Sequence, residues 1–165
     1  SIDGAITACF ASELTSHDSL KFGIPLADPK GQQVWEALAI LVAVSLWSLS
    51  WKQDRIVLKV KADNVTALTL LVKMRPSPST THARQLASIS RELALHLVDL
   101  SFPLDATHIP GVGHVFADAL SRVHAPKGKG KITSDLHPAL ATARIDTAPI
   151  RDKSFYLISD FESLE

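Results

Sequence analysis

Arg55-Ile-Val-Leu-Lys-Val-Lys-Ala-Asp63-Asn-Val-Thr-Ala-Leu68 is the stretch that decides how the rest of the chain is read. Ile56, Leu58, Val60 and Ala62 alternate with Val57, Lys59, Lys61 and Asp63, the period of a strand with one face turned inward. Asp63 is then the last strand residue, on the more polar side. Asn64 and Thr66 offer helix caps, and Ala67, Leu68, Leu70, Leu71 and Met74 continue as a helix. A strand running straight into a helix is the unit of α/β folds, and ligands gather where such strands end. Asp63 can equally be a plain capping residue, since Asp-Asn before a helix is common. Lys59 and Lys61, on the same face, either meet a phosphate backbone or are simply solvated.

Upstream, Gln32 to Trp51 is the longest apolar segment, carrying Val34, Trp35, Ala37, Leu38, Ile40, Leu41, Val42, Val44, Leu46 and Trp47. Apolar residues nearly all round a helix mean deep burial or a membrane span. Serines in its second half, and α/β patterning on both sides, favour a central helix covered by a sheet. Glu36 is its single charge. A carboxylate there must reach water at the helix end, find a partner or bind a cation. A first-turn glutamate favoured by the helix dipole is the plainer alternative. Thr15 to Lys30 is polar and broken by Gly23, Pro25 and Pro29. It has room for at most one short strand around Leu20 to Ile24, with Asp18 and Asp28 as solvated turn residues. Ala5 to Phe10 reads as a strand behind the hairpin dipeptide Asp3-Gly4, whose partner strand upstream is absent.

Downstream, Arg75-Pro-Ser-Pro-Ser79 is a loop, and Thr80 or Thr81 starts another helix. Leu86, Ile89, Leu93, Leu97 and Leu100 face inward on it, leaving Glu92 and Asp99 for the solvated side. Phe102 to Ile109 resumes as a strand. It delivers the chain into His108-Ile-Pro-Gly-Val-Gly-His114-Val-Phe-Ala-Asp118-Ala-Leu-Ser-Arg122, a turn feeding a short helix. Phe116, Leu120 and Val123 form the apolar side of that helix, while His114, Asp118 and Arg122 recur at steps of four. Asp118 and Arg122 make either an ordinary i,i+4 pair, worth a few tenths of a kcal/mol, or part of a site with His108. After Val123 the periodicity fades. The organisation expected is one domain over 1–126, then a basic linker (Lys127-Gly-Lys-Gly-Lys131) and a C-terminal tail or connector over 127–165, with room for a strand at Phe155 to Ile158.

Composition narrows the class. Lysine plus arginine and aspartate plus glutamate both total 17, so no overall field draws the chain to nucleic acid. A nucleic-acid partner has to be argued from a site. With 46% hydrophobic and 21% charged residues, the 165-residue chain has the makeup of a folded protein with one core. A single cysteine, Cys9, excludes an internal disulfide framework. With no secretory signal visible, the expected setting is reducing and intracellular, in cytoplasm or nucleus.

The order strand, buried helix with Glu36, strand ending at Asp63-Asn64, helices, strand, then His108-Ile-Pro-Gly…Ala-Asp118-Ala-Leu-Ser-Arg122 resembles the RNase H domain of retrotransposon Pol polyproteins. That domain follows reverse transcriptase in long-terminal-repeat and related elements. The likeness covers roughly Asp3 to Pro126, and its most specific pieces are His-x-Pro-Gly with Ala-Asp-Ala-Leu-Ser-Arg, and Asp-Asn-x-x-Ala-Leu at Asp63 to Leu68. The fold it implies is α/β, an RNase H-like mixed sheet flanked by helices, here without its first strand. The activity it implies is metal-dependent cleavage of the RNA strand of an RNA–DNA hybrid.

In that family four carboxylates hold two Mg²⁺ (or Mn²⁺) ions. The matching positions are Glu36, Asp63 and Asp118, with His108 at the loop histidine assigned to proton transfer or product release. Asn64, His114 and Arg122 are the expected nucleic-acid contacts, and His114 stands where related domains often have Asn. The fourth acid, an aspartate on the first strand, has no counterpart, so these residues alone are expected to be inactive or nearly so. Two cations ~4 Å apart clamp the scissile phosphate, activating water and easing the leaving oxygen, and hard carboxylate oxygens suit them. The partners implied are the RNA–DNA hybrid and the reverse transcriptase domain of the same polyprotein, with no membrane. A degenerate RNase H-like scaffold or binding module is the alternative. An integrase-type nuclease is disfavoured, because there the last acid is a glutamate.

Overall fold

The computed structural model describes residues 6–26, 28–51, 57–77, 79–98, 104–110, 113, 115–124 and 138–158. In chain order these form β1 (Ala8–Cys9), α1 (Ser16–Phe22), a 3-10 turn (Pro29–Gly31), α2 (Gln32–Trp51), β2 (Leu58–Ala62), α3 (Val65–Lys73), α4 (Ala83–Val98), β3 (Leu104–His108), α5 (Val115–Ser121), a second 3-10 turn (Pro138–Leu140) and β4 (Arg144–Ile145). The class is α/β, as the periodicities require. Among the described residues the strands make two parallel pairs, β1 with β4 and β2 with β3, which is compatible with the α/β class expected. They fall in two units, one from Ser1–Glu13 and Ile109–Ala148, the other, mostly helical, from Leu14–His108 and Pro149–Glu165.

In the helical unit, burial alternates along β2 as its sequence demands, with Leu58, Val60 and Ala62 half-buried and Lys59 and Lys61 exposed. α3 packs against both β2 and β3. Its start is set by Asn64, whose Oδ1 accepts from the backbone N–H groups of Thr66 at 2.8 Å and Ala67 at 3.1 Å. Replacing Asn64 with alanine is expected to cost about 1 kcal/mol, measured as a lower urea midpoint; an unchanged midpoint would show the cap to be idle. α2 is the 20-residue helix expected over Gln32–Trp51. By length and apolarity alone Pro29–Trp51 could cross a bilayer. Here its Val34, Leu38, Leu41 and Val42 are buried, and the elements packed on it are α3 and α4, with Leu70, Leu71, Leu86, Ile89 and Leu93 in the core. Among the described residues its main cover is therefore helical rather than the sheet expected.

Further expectations are overturned in this unit. Ser16–Phe22 is a helix, so the strand allowed around Leu20 to Ile24 gives way to the helix's last turn and its cap. Thr15 and Asp18 form a capping box, with the Thr15 side chain accepting from Asp18 N and the Asp18 carboxylate accepting from Thr15 N, and Gly23 closes the helix in the left-handed region at φ 63°. Asp18 is not a solvated turn residue but fully buried, 0% exposed, and it accepts from Arg151 Nε at 2.9 Å and Nη2 at 2.8 Å. Glu92 is not on a solvated face either. It is 2% exposed, and its carboxylate accepts the backbone N–H groups of Leu157 and Ile158, both at 2.8 Å.

Residues 149–158 consequently are not a loose tail. Arg151, Phe155 and Tyr156 are buried, and Tyr156 lies edge-on to Phe22 with Lys21 Nζ 4.6 Å from its ring centre. The segment forms turns, not the strand anticipated at Phe155 to Ile158. Burial, then the Asp18 carboxylate, and further the Glu92 carboxylate raise the Tyr156 phenol well above its usual range, with Arg151 opposing them. Asp28, by contrast, is a turn residue as expected, its Oδ1 accepting from Lys30 N at 2.9 Å.

In the smaller unit, β1 is shorter than the Ala5 to Phe10 strand anticipated and pairs in parallel with β4, Ala8 opposite Arg144 and Cys9 opposite Ile145. Cys9 is buried, and burial followed by the Asp146 carboxylate raises its thiol pKa. α5 is a surface helix with Val115 and Phe116 exposed. The Asp3-Gly4 turn, Asp99, Phe102, His114 and the Lys127–Lys131 linker lie outside the described residues.

Candidate nucleic-acid site

β2 and β3 run parallel in register, Ala62 opposite His108, so both strands end at the same edge. Asp63 follows Ala62 there, and His108 Nε2 lies 3.2 Å from the Asp63 backbone oxygen. A carbonyl can only accept, so Nε2 is the donor in this bond, and Nδ1 is not engaged by it. Two of the residues singled out from sequence, Asp63 and His108, thus meet at the carboxyl ends of adjacent parallel strands. Asn64, a third, holds its amide oxygen on the start of α3.

Glu36 sits on the second turn of α2. Its Oε1 accepts from Gln32 Nε2 at 2.9 Å, while Oε2 is buried without a hydrogen bond. A carboxylate oxygen left in that state is costly unless something cationic or protic meets it. In donor chemistry the residue suits a hard cation. Asp118 belongs to the smaller unit, where it is exposed and takes Arg122 Nη2 at 2.9 Å and Nε at 3.1 Å, the i,i+4 pair anticipated. Among the described residues no three His, Cys, Asp or Glu side chains stand together as a metal-holding group.

The feature that sequence reasoning missed is an open cleft of about 570 Å³ lined by Pro29, Lys30, Gln32, Gln33, Asn64 and Thr81. Three helix starts meet on it. Gln32 and Gln33 open α2, Asn64 caps α3, and Thr81 stands just ahead of α4. Helix N-termini present partial positive charge, which favours anions, and Lys30 adds a full charge, although the first N–H groups of α3 are already taken by Asn64 Oδ1. Gln33 Oε1 on the cleft wall and His82 Nε2 next to Thr81 are buried polar atoms without hydrogen bonds. His82 is also held in the left-handed region at φ 60°, unusual for a residue with a side chain. Amides, a hydroxyl and one ammonium, lined along helix starts, are groups that can grip phosphate and sugar hydroxyls. No family model, curated protein or solved structure matches this chain.

Proposed function

We propose that this chain is the RNase H domain of a retroelement Pol polyprotein, working beside that polyprotein's reverse transcriptase and binding RNA–DNA hybrids. The observation that carries the reading is the cleft: three helix starts and Lys30 line it, and Asn64 joins it to the strand edge where Asp63 and His108 meet. A nucleic-acid backbone laid along the cleft would have its phosphates at the positive helix ends and its sugar edges against Gln32, Gln33 and Asn64. The motif resemblance supplies the enzyme class. By that resemblance alone, Glu36, Asp63 and Asp118 are the residues matched to ligands of Mg²⁺ or Mn²⁺, which when bound would supply Lewis-acid activation of water, and His108 is the residue matched to proton handling at the leaving group.

The test is the salt dependence of hybrid binding, followed by fluorescence anisotropy on the chain and its Lys30→Ala variant. Affinity should fall as salt rises, and Lys30→Ala should lower the slope of log K against log salt by about 1. A slope that Lys30→Ala leaves untouched would take nucleic acid out of the cleft, and a folded scaffold would be what remains.

A further inference from the structure

We propose that residues 149–158 act as a strap that fixes the Pro29–Gly31 wall of the cleft, with Tyr156 and Phe22 as the positioning residues that transmit its hold. The strap is tied through buried carboxylates on two helices: Asp18 of α1 takes Arg151, and Glu92 of α4 takes the N–H groups of Leu157 and Ile158. Between these ties an unbroken line of aromatic contacts runs inward. Phe155 meets Tyr156 at 5.0 Å between ring centres, Tyr156 meets Phe22 at 6.3 Å, and Phe22 meets Trp35 at 6.0 Å, each pair edge to face. Trp35 then stands directly against the cleft turn. A methyl group placed on Gly31 would lie 2.9 Å from Trp35 Nε1 and 2.6 Å from Ile24 Cγ2, so the turn has no slack on that side.

Phe22 is the hub of this line. It is 4% exposed, its ring touches both Trp35 and Tyr156, and its carbonyl accepts from Gln85 Nε2 of α4 at 3.0 Å. Close-packed interiors pass a displacement on rather than absorb it. Removing the Tyr156 ring therefore frees Phe22 on one side, lets Trp35 shift, and loosens the turn that carries Lys30. The effect on ligand rests on the nucleic-acid reading above; the mechanical link does not.

Amide hydrogen exchange on the full chain tests the link without any ligand. The Gly31 N–H, bonded to Asp28 O at 3.0 Å, should open together with those of Leu157 and Ile158, their opening constants agreeing within about twofold. Tyr156→Ala should speed Gly31 exchange by about tenfold or more while the β2–β3 ladder amides keep their rates. Tyr156→Phe should match the parent, since the Tyr156 hydroxyl makes no hydrogen bond. Unchanged Gly31 exchange in Tyr156→Ala overturns the proposal. So does a parent protein in which Gly31 opens far more readily than Leu157 and Ile158, a comparison that decides the matter even if Tyr156→Ala does not fold. Hybrid affinity is read separately: Lys30→Ala without effect on it removes the nucleic-acid reading and leaves the exchange result standing.

Discussion

Replacing Arg151 with alanine is expected to lower the unfolding free energy of the helical unit by about 3–5 kcal/mol, the usual penalty for removing one member of a buried ion pair. Asp18 and Arg151 are 0% and 4% exposed at their side chains, and the guanidinium meets the carboxylate through both Nε and Nη2. Without Arg151 the Asp18 charge stays buried with only the Thr15 N–H at 2.8 Å and hydroxyl at 2.9 Å for company. The pair is not thereby a large net stabiliser, because a well-packed apolar replacement of both partners can be neutral. Asp18→Leu combined with Arg151→Met should accordingly recover much of the loss in urea denaturation. A single Arg151→Ala variant with the parent midpoint would mean that the pair carries no stability.

The same pair makes stability depend on acidity. Burial pushes the Asp18 carboxyl up, but the hydrogen bond from Arg151, the Thr15 N–H, the Arg151 charge and the Thr15 hydroxyl together outweigh it and hold the group below the ordinary aspartate value. A depressed carboxyl favours the folded state fully at pH above its unfolded-chain value of about 3.9. That contribution is lost as the pH falls through the lower folded value. Arg151→Ala should flatten this part of the stability–pH curve.

Glu92→Ala is the second large effect expected, about 3 kcal/mol, from the loss of two hydrogen bonds to a charged acceptor. Leu157 and Ile158 both donate to that carboxylate. Glutamine cannot accept from both amides in the same way, since one end is an N–H₂ group, so Glu92→Gln should recover only part of the loss. Faster exchange at the Leu157 and Ile158 amides should accompany the drop in stability. Unaltered exchange there would separate Glu92 from the strap.

What the sequence made legible and what it hid follow from the range of the forces involved. β2, the Asn64 cap and the bounds of α2 depend on residues within a few positions of one another, and periodicity reads such patterns directly. α1 carries a local signature too, the capping-box spacing of Thr15-Ser-His-Asp18 with Gly23 at its end, but the breakers Gly23, Pro25 and Pro29 leave it only seven residues, too few for a clear helical period. Glu92 stands three positions after Ile89, close to the inward face of α4, and its partners are backbone amides that no side-chain pattern marks. The Asp18–Arg151 pair joins residues 133 positions apart, so only the folded chain brings them together. The cleft was hidden for the same reason. Its walls come from three helix starts, each of which reads locally as a cap and nothing more.

The most direct measurement is a competition between an RNA–DNA hybrid and a DNA duplex of the same sequence for this chain, at one fixed salt concentration. On the proposed reading the hybrid binds about tenfold more tightly, a difference of about 1.4 kcal/mol, because its sugar hydroxyls and wider minor groove would meet the polar cleft wall. Equal affinity for the two, or binding to neither, would contradict the assignment of this cleft to RNA–DNA hybrids.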